Sequence, residues 1–255
     1  MSTAVSDQVH RRVEMVMGLP ISLALRGRHA TGPRADAAWS DALAVLRDAD
    51  RVFSRYRPDT FISRLGRGEI DVLDCPREVA EVLAIGEEAR RVTGGVFDVR
   101  RPGAPLDTDG IVKGWAVQRA LRALDVLEET DVCLSGGGDM ACVVRDPAGD
   151  PWQIGIEDPR DPTRVLAVVP VHTGAVATSG AAHRGDHVVN AVTGKAPDGV
   201  ASVTVIGADL TWVDIEATAA YAMGRDALTW LRTRPGRSGL VVWADGSTDT
   251  FATSA

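Results

Sequence analysis

Residues 131–171 read DVCLSGGGDMACVVRDPAGDPWQIGIEDPRDPTRVLAVVPV. Four short runs rich in Val, Ile, Leu, Cys and Trp, at 131–135, 140–145, 152–157 and 165–171, are separated by turns of Gly, Asp and Pro. That pattern predicts a block of strands. Outward from it the order is not an alternating βαβ. Residues 13–26 read as a strand pair or a long bent strand, broken at Gly18-Leu19-Pro20. Residues 37–50 read as a helix, with Trp39, Leu43 and Leu46 on one face, and 51–65 as a short Arg-rich segment whose arginines suit a solvated face. Residues 76–92 form a second expected helix, ended by Thr93-Gly94-Gly95, and 111–127 a third. After the β block come a strand at 202–206, helices at 212–223 and 226–232, a short strand at 240–243 and a ragged tail. Strands, helices, a β block and then helices again predict an α+β fold with a mainly antiparallel sheet and packed helices. No low-complexity linker splits the chain, so one domain over 1–255 is expected.

The 255 residues suffice for a full core without disulfides. A net charge of −7 argues against a broad nucleic-acid-binding face. No run of about 18 apolar residues suggests a membrane helix. The start lacks a basic segment followed by an apolar one, as a secretory signal would have, and the three cysteines lack metal-ligand spacing; a cytoplasmic, reducing setting is expected. Only two of the 28 basic residues are lysines, Lys113 and Lys195. An arginine-rich codon bias explains the excess. A scarce lysine can also persist where a guanidinium cannot do its work.

Dinucleotide, P-loop and paired-cysteine zinc motifs are absent. Four less general constellations remain. Asp107-Thr108-Asp109-Gly110-Ile111-Val112-Lys113-Gly114 puts two acids and a lysine at a helix start, which reads either as a capping turn or as an anion site. Ser135-Gly136-Gly137-Gly138-Asp139 reads either as a bulged hairpin or as a loop that lets a ligand approach the backbone. Thr178-Ser179-Gly180, taken to follow a strand, precedes His187, a general-base candidate in a loop that continues to Thr193-Gly194. Asp214 and Thr218, four apart on a helix, offer a carboxylate and a hydroxyl on one face. That pair suits a hard cation such as Mg²⁺, or is a dipole-favoured acid beside an incidental threonine.

In order along the chain, these motifs resemble the ApbE-like family, the FAD:protein FMN transferases, over roughly residues 15–224. Met17-Gly18, Phe53-Ser54-Arg55-Tyr56 with Ile62-Ser63-Arg64-Leu65, and Thr93-Gly94-Gly95-Val96-Phe97-Asp98 are similar to family segments, as are 107–116, Gly137-Gly138-Asp139, 152–159, Thr178-Ser179-Gly180 and Asp214 with Thr218. The chain departs from the family pattern at Leu19, at Gln118, and at Asn190-Ala191, where the family has Asp-Pro.

The resemblance implies an α+β fold of T-fold-like units holding FAD in a cleft beside Mg²⁺. Asp214 and Thr218 would ligate the metal, with a backbone carbonyl near Val112. Met17, Tyr56, Asp98, Lys113, Gly137, Gly138, Asp139, Thr178 and Ser179 would face FAD, with Tyr56 as a stacking surface. Asp214, Lys113 and His187 would serve catalysis, His187 by helping to deprotonate the acceptor. The implied activity cleaves the FAD pyrophosphate and attaches FMN through its phosphate to a Ser or Thr of an acceptor protein, releasing AMP. FAD hydrolysis to FMN and AMP, or flavin binding without turnover, are the competing expectations. The implied partners are FAD and an acceptor with a Ser/Thr flavinylation motif, and neither a nucleic acid nor a membrane.

Overall fold

The computed structural model describes residues 8–181 and 188–254. The chain opens with β1 (His10–Val16) and β2 (Leu19–Gly27), joined by a two-residue turn. Helices α1 (Pro33–Phe53), α2 (Phe61–Gly66), α3 (Arg77–Val92) and α4 (Asp109–Leu121) follow. Then come β3 (Thr130–Gly136), β4 (Asp139–Val143), β5 (Trp152–Asp158), β6 (Asp161–Val171), β7 (Thr173–Gly180) and β8 (Val200–Gly207). Helices α5 (Leu210–Met223) and α6 (Ala227–Leu231) and strands β9 (Ser238–Trp243) and β10 (Thr248–Ala252) close the chain.

Eight strands make one antiparallel sheet in the order β1-β2-β3-β4-β7-β8-β9-β10, while β5 and β6 form a separate hairpin. The expected α+β class with an antiparallel sheet is therefore the observed one. Side chains alternate across the sheet. Val132 and Leu134 of β3 enter the main core under the helices, while Cys133 enters a second cluster with Trp152, Ile154 and Val171 of the hairpin. Helices thus cover one face and the β5–β6 hairpin covers part of the other. Cys133 and Cys142 are cross-strand partners, buried as expected, with free thiols 3.4 Å apart. No helix among the described residues is long and apolar enough to cross a membrane.

Four local expectations change. The third helix ends at Leu121, and 122–126 tighten into a 3-10 turn. Thr178-Ser179-Gly180 do not follow a strand but end β7, which begins only two residues after β6. The tail carries an edge strand, β10. Arg55, placed on a solvated face, is ion-paired to two carboxylates.

Helix α5 is the packing centre. It lies against α4 on one side and β7 and β8 on the other, and nearly all its residues are buried, so it shows no polar stripe. Its Glu216 is 1% exposed and accepts from Arg234 Nε at 3.2 Å and Arg237 Nε at 2.5 Å. A buried charge is tolerable only when so paired. Replacing Glu216 by glutamine strands two half-desolvated guanidinium groups and is expected to cost about 3 kcal/mol. Thermal denaturation should show this as a Tm lower by roughly 6–12 °C.

Candidate functional site

Two tight turns build one wall of the site. Met17 and Gly18 (φ 57° and 69°) join β1 to β2, and Gly137 and Gly138 (φ 61° and 97°) join β3 to β4. Both residues of each turn are left-handed, the geometry that lets a two-residue hairpin follow strand twist. Gly137 N–H donates to Pro20 O at 3.1 Å, so the turns lie side by side. They open onto a cleft of about 1120 Å³, whose walls also include Tyr56, Asp98, Val112, Lys113, Asp139, Thr178, Ser179, Asp214 and Thr218. Every site residue named from the sequence thus lines one cavity, apart from His187, which lies outside the described residues.

The polar floor is a buried network. Lys113 Nζ donates to Asp139 Oδ2 and lies 3.2 Å from Asp214 Oδ1. Asp139 Oδ1 accepts Thr178 N–H at 2.9 Å, and Asp214 Oδ2 accepts Gly114 N–H at 3.1 Å. Four elements (α4, β4, β7 and α5) are tied through three side chains. When both carboxyls are ionised, one positive and two negative charges leave the trio one net negative charge. Burial alone would lower the Lys113 ammonium; Asp214 and Asp139 outweigh it and hold Lys113 above its ordinary value. Complete burial pushes the Asp214 carboxyl up to about 7, against the pull of Lys113 and with a further push from Asp139. Asp139 has both oxygens committed to protein groups, so it positions Lys113 and β7.

Asp214 and Thr218 stand one helical turn apart on α5, and Thr218 Oγ1 lies 3.0 Å from Ser179 Oγ. Across the helix interface, glycines one turn apart on α4 face them. A Cβ built on Gly114 would meet Asp214 Oδ2 at 3.0 Å, and one built on Gly110 would meet Thr218 Cγ2 at 4.0 Å. Among the described residues no three His, Cys, Asp or Glu side chains converge on a metal position. What lines the cleft there instead is one buried carboxylate, one helical turn from a pair of hydroxyls in contact, an all-oxygen set. Each Asp214 oxygen accepts one of these contacts and keeps a lone pair. That chemistry fits a hard cation that retains waters.

Sequence reasoning missed part of the cleft. Arg55 lies 3.0 Å from Asp107 Oδ2 and 2.9 Å from Asp109 Oδ2, and its guanidinium approaches the ring of Tyr56, which is 84% exposed at the rim. Burial would lower Arg55, but Asp107 and Asp109 raise it above its ordinary value. The end of β5, Gly155 to Asp158, also lines the cleft. The quoted 152–159 motif was its available signal.

The departures from the family pattern have local explanations. Gln118 Oε1 accepts Leu210 N–H at 2.8 Å, fixing the start of α5 to α4. Asn190 Oδ1 accepts Val192 and Thr193 N–H at 3.0 and 3.2 Å, and its Nδ2 donates to Ala222 O at 3.4 Å. Ala191 N–H donates to Val96 O at 3.0 Å, a bond no proline can make. The cleft wall formed by Val188, Val189 and Ala191 is therefore pinned with the residues present.

No curated protein matches the chain. Solved structures do. The ApbE protein of Thermotoga maritima is 22% identical with a TM-score of 0.81, over 95% of this chain and 96% of that one. The apo flavinyl transferase ApbE of Pseudomonas stutzeri is 21% identical with a TM-score of 0.79, over 99% and 96%. The flavin transferase ApbE of Vibrio cholerae is 19% identical with a TM-score of 0.76, over 97% and 98%. At these identities the likeness is one of fold. The sequence profile of the ApbE family matches residues 17–100 and 99–241, nearly the whole length. The chain belongs to the ApbE family.

Proposed function

We propose that the chain is a Mg²⁺-dependent FAD:protein FMN transferase, with residues 1–255 acting as one catalytic unit. The observation that carries this reading is the buried Lys113–Asp139–Asp214 network, set beside the Thr218 and Ser179 hydroxyls in a cleft of about 1120 Å³. Family membership and the flavin transferases among the structural neighbours support the same chemistry.

Asp214 and Thr218 would hold Mg²⁺, and the bound ion would offset charge on the pyrophosphate. A backbone carbonyl near Val112, in the first turns of α4, would be the third protein donor. The acceptor hydroxyl oxygen forms a bond to the FMN phosphorus while the bond to the AMP oxygen breaks, and the hydroxyl proton passes to a base, the role assigned to His187. Little covalent chemistry is asked of the protein, whose work is positioning and charge neutralisation. Lys113 spends two of its three donors on carboxylates and keeps one for a phosphate or flavin oxygen. The Gly137–Gly138 turn admits the ligand to the backbone, Met17, Asp98 and Thr178 shape the wall, and Tyr56 offers a ring at the rim. A cytoplasmic setting, and with it a cytoplasmic acceptor, belongs to the same proposal.

The test is incubation with FAD and Mg²⁺, with and without a peptide carrying Asp-Gly-x-Ser/Thr-Gly-Ala-Ser/Thr. AMP release with a flavin-labelled peptide is expected. AMP without labelling would mean hydrolysis, and FAD retained with neither product would mean binding alone. Lys113→Arg is expected to weaken FAD binding about tenfold, because the wider guanidinium fork cannot sit between Asp139 and Asp214 as a compact ammonium does. Fluorescence titration reads this, and unchanged affinity would count against a ligand role for Lys113.

A further inference from the structure

Three described cations line the cleft: Arg55, Arg101 and Lys113. Two are already committed. Arg55 pairs with Asp107 and Asp109, and Lys113 with Asp139 and Asp214. Arg101 differs. Its side chain is half-buried, and among the described residues it makes neither an ion pair nor a hydrogen bond. The nearest acid in sequence on its loop is Asp98, whose Oδ1 accepts Arg100 N–H at 2.7 Å.

The loop itself is held. Asp107 N–H donates to Val99 O at 2.9 Å across its neck, and Ala104 N–H donates to Arg101 O at 3.1 Å within it. Arg101 is therefore presented from a fixed backbone. The rest of the cleft is acidic, with Asp50, Asp98, Asp107, Asp109, Asp139, Glu157, Asp158 and Asp214 in its walls. A polyanionic ligand entering such a cleft needs cationic contacts that are not already neutralised. A partly desolvated guanidinium without a partner is costly in the empty cleft, and that cost disappears when an oxyanion arrives. Its planar fork of donors matches two oxygens of one phosphate.

We propose that Arg101 binds a phosphoryl oxygen of the flavin nucleotide and sets the cleft's preference for phosphorylated over unphosphorylated flavin. The proposal rests on the flavin-transferase reading above. Its test is fluorescence titration of the full chain, with Mg²⁺ present, using FAD and riboflavin against wild type, Arg101→Ala and Arg101→Lys. Arg101→Ala should weaken FAD binding about tenfold or more and leave riboflavin binding unchanged, and Arg101→Lys should restore part of the loss. Equal losses for both flavins would overturn the proposal in favour of a wall role. Unchanged FAD affinity with a raised KM for the acceptor peptide would overturn it in favour of acceptor recognition. A wild-type cleft that binds no FAD would overturn the flavin reading itself, a result distinct from either.

Discussion

Asp214→Asn is expected to lower kcat/KM for FMN transfer by at least about 100-fold while leaving the protein folded. The side chain is completely buried, yet both its oxygens are in use: Oδ2 accepts from Gly114 N–H and Oδ1 faces Lys113. Asparagine has nearly the same shape and keeps one accepting oxygen for Gly114 N–H, so the packing survives although its NH2 then faces the Lys113 ammonium. What changes is charge. The Lys113–Asp139–Asp214 trio can no longer reach the net negative charge it carries with both carboxyls ionised, and a divalent cation loses the charged donor that stands one turn from Thr218. The stability cost is smaller than at Glu216, because burial already penalises the Asp214 charge and Lys113 keeps Asp139 as partner. A second readout separates metal binding from catalysis. Mg²⁺ should raise the Tm of the wild type, as any ligand of the native state does, and should leave that of Asp214→Asn unmoved. An Asp214→Asn protein with wild-type turnover, or with an intact Mg²⁺-induced shift, would refute the metal assignment.

Asp214 and Thr218 could be paired from the sequence because they lie four residues apart on one helix, and short-range spacing is what sequence displays. Arg55 was not. Its partners, Asp107 and Asp109, sit more than fifty residues further on, so its arginine-rich surroundings read as a solvated face. The role of Asp139 was only half legible. The glycine turn before it marked a site, but nothing local says that its carboxylate turns inward to Lys113 and Thr178. Strand β7 was lost for a physical reason. It follows β6 after one residue, and apart from Val176 it is built of Gly, Ala, Thr and Ser, with α5 packed against it; small and hydroxyl residues read as loop. Strand β10 was lost as an edge, with Phe251 alone buried among Thr, Asp and Ala. The overall class survived these misses because it rested on the order of helices and strands, which two missed strands do not alter.

Gly114→Ala is the variant expected to damage both stability and activity. Removing a glycine from a helix interior ordinarily gains about 1 kcal/mol. Here the added methyl would lie 2.8 Å from Leu210 O, 3.0 Å from Asp214 Cβ and 3.0 Å from Asp214 Oδ2. None of these is the free end of a flexible side chain. One is backbone, and the others belong to a carboxyl group held by Lys113 and by Gly114 itself. Helices α4 and α5 must therefore separate, at an overpacking cost of about 3 kcal/mol. The clash outweighs the propensity gain, leaving a net loss of about 2 kcal/mol and a Tm lower by roughly 4–8 °C. Separation also moves Asp214 relative to Thr178 and Asp139 on the sheet, and a misplacement of about 1 Å at a reacting centre costs about 100-fold in rate. Gly110→Ala is the control on the same helix face. Its methyl would meet the Phe97 ring at 3.0 Å, and a ring edge can turn aside. Clash and propensity should nearly cancel there, with a Tm close to wild type. If Gly114→Ala melts at the wild-type temperature and keeps its turnover, the close approach of α4 to α5 is not what positions Asp214.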